Sequence, residues 1–98
     1  MSLANGLEAE QKARIYLIGQ GLEWIASNYR CCFGEIDLIM REKSCLVFVE
    51  VRARSSNTYG GAVASVTYSK QRKLIKTAEH YLQINQLHNK QVARFDVF

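Results

Sequence analysis

Asp37 and the triplet Glu50-Val51-Arg52 are the residues whose types and spacing point to chemistry. Residues 35–41 (EIDLIMR) alternate in polarity, and residues 45–54 (CLVFVEVRAR) alternate more clearly, so both read as strands. The polar triplet Glu42-Lys43-Ser44 makes a short turn between them. That turn pairs the strands antiparallel and sets residue 37 opposite residue 49 or 50. The period of two puts Phe48, Glu50, Arg52 and Arg54 on one face of the second strand, and Val47, Val49 and Val51 on the other. Asp37 and Glu50 then converge. Two carboxylates forced together repel, and a divalent cation relieves that repulsion. Mg²⁺ favours hard oxygen ligands, commonly one or two carboxylates with water and phosphate. A metal bound there lowers the pKa of its water and offsets charge on a phosphodiester, while a neighbouring side-chain cation stabilises the phosphorane. The pattern alone fits a ladder of cross-strand ion pairs equally well, with Asp37 and Glu50 matched to Arg52, Arg54 or Arg41.

The elements that must position these residues follow from hydrophobic spacing. Residues 5–20 read as a helix capped by Asn5, with Leu7, Ala13, Leu17 and Ile18 near one face and Gly21 suited to its left-handed end. Glu10 lies just off that stripe. Residues 22–29 are a weakly alternating strand holding Trp24, which reads as core, and Phe33-Gly34 signals a turn. In the second strand segment, 35–41, Ile36, Leu38 and Met40 face one way and Glu35, Asp37 and Ile39 the other. Residues 55–66 are rich in Ser, Gly and Asn and read as a loop. A second helix runs from about Ser69 to Gln86, with Leu74, Ile75, Ala78, Tyr81 and Leu82 on its apolar side, and residues 92–98 form a last strand. The order is helix, three-stranded meander, helix, strand. A long helix between the third and last strands calls for a parallel, right-handed crossover, giving an α/β fold with a small mixed sheet flanked by helices. An apolar strand at the very end suggests a native chain that continues past Phe98.

Gly34-Glu35-Ile36-Asp37-Leu38-Ile39 followed by Val47-Phe48-Val49-Glu50-Val51-Arg52 resembles the restriction-endonuclease-like superfamily, whose metal-nuclease signature is a carboxylate, a gap, then carboxylate-x-Lys. More narrowly, the chain resembles the bacterial YraN family of endonuclease-like proteins, related in fold to Holliday junction resolvases. Ala9-Glu10, Ala13, Tyr16-Leu17, Tyr59-Gly60-Gly61, Ser69-Lys70-Gln71, Ala78, Tyr81-Leu82 and Arg94-Phe95-Asp96-Val97 extend the match over nearly the whole chain. The resemblance implies a restriction-endonuclease-like core and a Mg²⁺- or Mn²⁺-dependent endonuclease acting on DNA, including branched or damaged DNA. It makes Asp37 and Glu50 metal ligands, with the Val51 carbonyl as a third and Glu10 completing the site from the first helix. Arg52 stands where the signature has Lys. A lysine can lose its proton and act as a base, whereas an arginine cannot. Arg52 can still orient a phosphate, and Lys70 at the start of the second helix is a stand-in for the missing lysine. An exposed Glu10 paired with Arg14, and a simply solvated Lys70, are the plainer alternatives. A catalytically impaired nucleic-acid-binding protein of the same fold is the second functional expectation. The third is an interaction subunit whose carboxylates only make salt bridges.

Composition bounds these readings. The 98 residues fit one domain, 1–98, with 48% hydrophobic and 22% charged residues, six Gly and no Pro, which excludes disordered and collagen-like chains. The net charge is +4, but it is unevenly spread. Residues 1–40 hold three basic and five acidic side chains, and residues 41–98 hold ten and four. An acidic half beside a basic half suits a site that holds a cation and receives an anion, although uneven solvated faces explain the same balance. Arg54, Lys70, Arg72, Lys73 and Lys76 gather near the 55–66 loop and the second helix as nucleic-acid contacts, with Tyr59 and Tyr68 able to stack on bases. The three cysteines, Cys31, Cys32 and Cys45, make no disulfide framework or zinc motif. With no leader and no long apolar run, the expectation is a reduced, cytoplasmic protein away from membranes. Nucleases acting on duplexes often work as homodimers, but the chain itself carries no self-association signal.

Overall fold

The computed structural model describes residues 2–51, 67–87 and 91–98, with side chains from residue 8 onward. Helix α1 (Ser2–Gly19) is followed by β1 (Glu23–Cys31), β2 (Gly34–Glu42) and β3 (Cys45–Glu50), then helix α2 (Tyr68–Ile84) and β4 (Val92–Val97). The four strands form one sheet in the order β1-β2-β3-β4. The first two pairings are antiparallel and β3 with β4 is parallel, as the intervening helix requires. This is the mixed α/β arrangement of a restriction-endonuclease-like core.

The end of α1 is set by backbone chemistry. Gly21 takes φ +100. Its N–H donates to the Ile18 carbonyl at 3.0 Å, and the Leu22 N–H donates to the Leu17 carbonyl at 3.1 Å. That is a Schellman ending, and Leu22 and Leu17 supply its apolar contact. The start differs from expectation. The helix begins at Ser2, so Asn5 lies inside it instead of capping it. Helix α2 is capped by Thr67, whose hydroxyl accepts from the Lys70 N–H at 3.2 Å.

The central strands are buried on both faces. Leu38, Met40, Val47 and Val49 pack with Ala13 of α1, while Ile39, Leu46 and Phe48 pack with Leu74 and Ala78 of α2. The alternation along β3 therefore holds, and that along β2 breaks once. Ile36 joins the α2 side with Ile39 instead of following Leu38 and Met40. The same step of β1 is irregular. Its pairing with β2 passes from Ser27↔Leu38 to Tyr29↔Ile36 and leaves Asn28 and Asp37 between them. Asn28 has φ +55, a left-handed backbone that cannot continue a regular strand. Trp24 is also not core. It is 44% exposed on the edge strand β1, with the Arg14 guanidinium 4.8 Å from its ring centre.

Gly34 allows β2 to start hard against α2. A Cβ there would stand 3.1 Å from Thr77 Oγ1 and 3.7 Å from Lys73 Cβ. Thr77 is fully buried and donates its hydroxyl to the Lys73 carbonyl at 2.8 Å, so it cannot swing aside without losing that bond. Gly34→Ala should lower stability by about 1–2 kcal/mol, seen as an earlier urea midpoint with an unchanged slope.

Candidate metal centre

The β2–β3 ladder runs through Leu38↔Val49, so Asp37 and Glu50 come one step further on, at the same end of adjacent strands. The register predicted from the turn is the one observed. Asp37 Oδ2 accepts from the Val51 N–H at 2.8 Å. The Glu50 carbonyl accepts from the Phe98 N–H at 2.8 Å. Both polar groups of the Glu50–Val51 peptide are thereby tied, the N–H to β2 and the carbonyl to the residue that follows β4. Val51 enters the site through its N–H.

Glu50 is a buried carboxylate, with its side chain 6% exposed, and Lys70 Nζ stands 3.1 Å from its Oε2. The helix cap that fixes the first turn of α2 also fixes where Lys70 begins. Asp37 is half-buried, and its carboxyl is pushed up to about 6 from an ordinary 3.8. Burial is the largest cause. The Val51 N–H opposes the rise, and the charges of Glu50, Glu10 and Glu35 add to it. Glu10 accepts from Asn28 Nδ2 at 3.1 Å, so α1 is tied to β1 directly beside the unpaired Asn28–Asp37 step. The guanidinium of Arg14, which the sequence offered as a partner for Glu10, lies over Trp24.

A cleft of about 320 Å³ opens on this corner, lined by Gly34, Glu35, Asp37, Glu50, Thr67, Ser69, Lys70, Lys73 and Leu74. It joins both strand carboxylates to the N-terminal turn of α2 and two lysines. Glu10 faces a neighbouring hollow with Gln11, Arg14 and Ser27. Of the other expected nucleic-acid contacts, Arg72 lies 6.0 Å from the ring of the exposed Tyr68, and Lys76 Nζ lies 5.9 Å from that of Phe33; neither lines the cleft. Arg52, Arg54 and Tyr59 lie outside the described residues.

The donor set suits a hard cation. Among the described residues no three His, Cys, Asp or Glu side chains form a ready-made metal cage. Mg²⁺ does not need one, because it takes one or two carboxylates and keeps several waters. Burial raises Asp37 most, and the smaller part added by the neighbouring carboxylates is what such an ion would neutralise. Asn28 and Glu35 are members of this neighbourhood that sequence reasoning passed over. Glu35 had the signal of its place beside Asp37 in the strand, whereas Asn28 had only the tolerance of Asn for a left-handed backbone.

A mixed sheet with two carboxylates at the ends of adjacent strands, one of them met by a lysine from α2, defines the class: a protein with a restriction-endonuclease-like core. The chain belongs to the family described as "Uncharacterised protein family UPF0102", whose model matches residues 9–98, and this is the YraN family that the motifs resemble. A UPF0102 protein of Methylobacillus flagellatus is 56% identical over 91 residues, covering 93% of this chain and 78% of the relative. One from Legionella pneumophila is 50% identical over 97 residues, covering 99% and 82%. One from Nitrosomonas europaea is 60% identical over 77 residues, covering 79% and 65%. Among the described residues no helix is long and apolar enough to cross a membrane.

Proposed function

We propose that this domain is a divalent-metal-dependent nuclease that hydrolyses phosphodiesters of DNA. The observation that carries the reading is the convergence of Asp37 and Glu50 on one cleft with Lys70 between sheet and helix. Asp37, Glu50, the Val51 carbonyl and Glu10 are the proposed holders of Mg²⁺ or Mn²⁺. When bound, such an ion activates water and offsets charge on the phosphate. Lys70 then exchanges its ion pair with Glu50 for the incoming phosphate, and Lys73 and the first-turn amides of α2 orient that phosphate. Lys70, unlike Arg52, is able to give up and take back a proton. The three free cysteines suit a reducing, cytoplasmic setting.

Arg52 favours a second reading, a nucleic-acid-binding protein that keeps the fold without turnover. A panel of single-stranded, linear duplex, flap and four-way-junction DNA, with RNA beside them, separates the two in Mg²⁺ and in Mn²⁺. The nuclease reading expects metal-dependent cutting of at least one DNA. Salt-sensitive binding to DNA with no cutting of any substrate would select the binding protein.

A further inference from the structure

We infer that Asn28 is a positioning residue of the metal site, its side-chain amide holding the Glu10 carboxylate toward Asp37. The inference rests on the metal-site reading above and adds to it a residue that touches no metal. Asn28 sits in the middle of β1 with φ +55, where a residue bearing a side chain normally takes an extended backbone. Its step in the ladder faces Asp37 and lies between the pairs Ser27↔Leu38 and Tyr29↔Ile36. From there Nδ2 donates to Glu10 Oε1 at 3.1 Å, across 18 residues of chain. The Glu10 carboxylate is thereby held beside the step of β1 that faces Asp37. One residue thus departs from strand geometry at the step facing the candidate ligand, and spends its only amide donor group on the carboxylate that comes from the helix. Outer partners of this kind orient metal-binding carboxylates, and losing one typically weakens metal binding about 10–100-fold.

Asn28→Gly separates the two roles of the residue, because glycine keeps the left-handed backbone and removes the amide. Mn²⁺ would be titrated into the full chain at pH 7.5, with free Mn²⁺ read by electron paramagnetic resonance. Four proteins are compared: wild type, Asn28→Gly, Glu10→Gln and the double variant. Thermal melts check that each is folded. The expected result is about tenfold weaker Mn²⁺ binding in Asn28→Gly, with no further loss when the same change is made in the Glu10→Gln background. Wild-type affinity in Asn28→Gly overturns the inference, as does a loss that persists undiminished without the Glu10 carboxylate. A wild type that binds no Mn²⁺ overturns the metal-site reading itself, a failure seen before any variant is compared.

Discussion

Asp37→Asn should cut the proposed cleavage about 10³-fold and at the same time make the protein more stable. On the nuclease reading, removing one of the two carboxylates assigned to the cation forfeits several kcal/mol of charge stabilisation, so the rate should fall by about 10³-fold. Stability moves the other way. The Asp37 carboxyl is raised to about 6 in the folded protein against an ordinary 3.8, chiefly by burial. Folding therefore favours its neutral form. The penalty is absent below about pH 4, grows as pH rises from 4 to 6, and is complete above that. A rise of this size corresponds to about 3 kcal/mol at neutral pH. The carboxyl is only half-buried, and solvent screening reduces this to about 1 kcal/mol. Asparagine keeps an oxygen for the Val51 N–H and carries no charge, so it should recover that amount at pH 7 and nothing at pH 4. Urea unfolding of both proteins at the two pH values checks the sign. Added Mg²⁺ should raise the melting temperature of wild type at pH 7 and leave the variant unchanged. Equal stability of the two proteins at pH 7 would mean that burying the Asp37 carboxylate carries no net cost.

Phe48→Ala should be the most damaging change to the fold, at about 3–5 kcal/mol. Phe48 is 1% exposed and lies between the sheet and α2, with Tyr81 edge-on at 6.0 Å and Phe95 at 5.5 Å between ring centres. An apolar cleft of about 250 Å³ already borders it, lined also by Leu74, Ile75 and Val97. Truncation would merge the lost volume with that cleft, and few neighbours could move in without dragging β4. The cost should fall near the middle of the range, since water can enter from the open side. Phe48→Leu should cost about 1–2 kcal/mol by the same argument. Both are read from denaturant midpoints. Phe48 and Glu50 share a face of β3, so loss of packing there should also loosen the grip on Lys70.

How much of this was legible in the sequence depended on what each residue interacts with. β2, β3 and the Asp37–Glu50 register followed from period-two alternation and a short turn, because local sequence decides both. The parallel partner of β3 followed from the length of α2. Trp24 failed because hydrophobicity does not say which strand is the edge, and here Arg14 covers the ring. Asn5 failed because a capping residue type was present but the helix started earlier, at Ser2. The break at Asn28 was invisible, since a left-handed residue in mid-strand leaves the hydrophobic pattern of β1 nearly unchanged. Glu10 was readable as a candidate only through resemblance; its bond to Asn28 is a tertiary contact that no spacing announces.

The turn between β2 and β3 has a consequence for the order in which the molecule assembles. Lys43 adopts φ +58 there and closes a hairpin in which Glu42 pairs with Cys45. Such a local contact forms within microseconds, whereas β4 can join β3 only after a much longer stretch of chain has been closed, with Leu46 pairing Ala93. The two like-charged carboxylates are therefore brought together at the outset, before α2 delivers Lys70 to offset them. Electrostatic repulsion belongs to a local contact of the chain, and its relief to a non-local one.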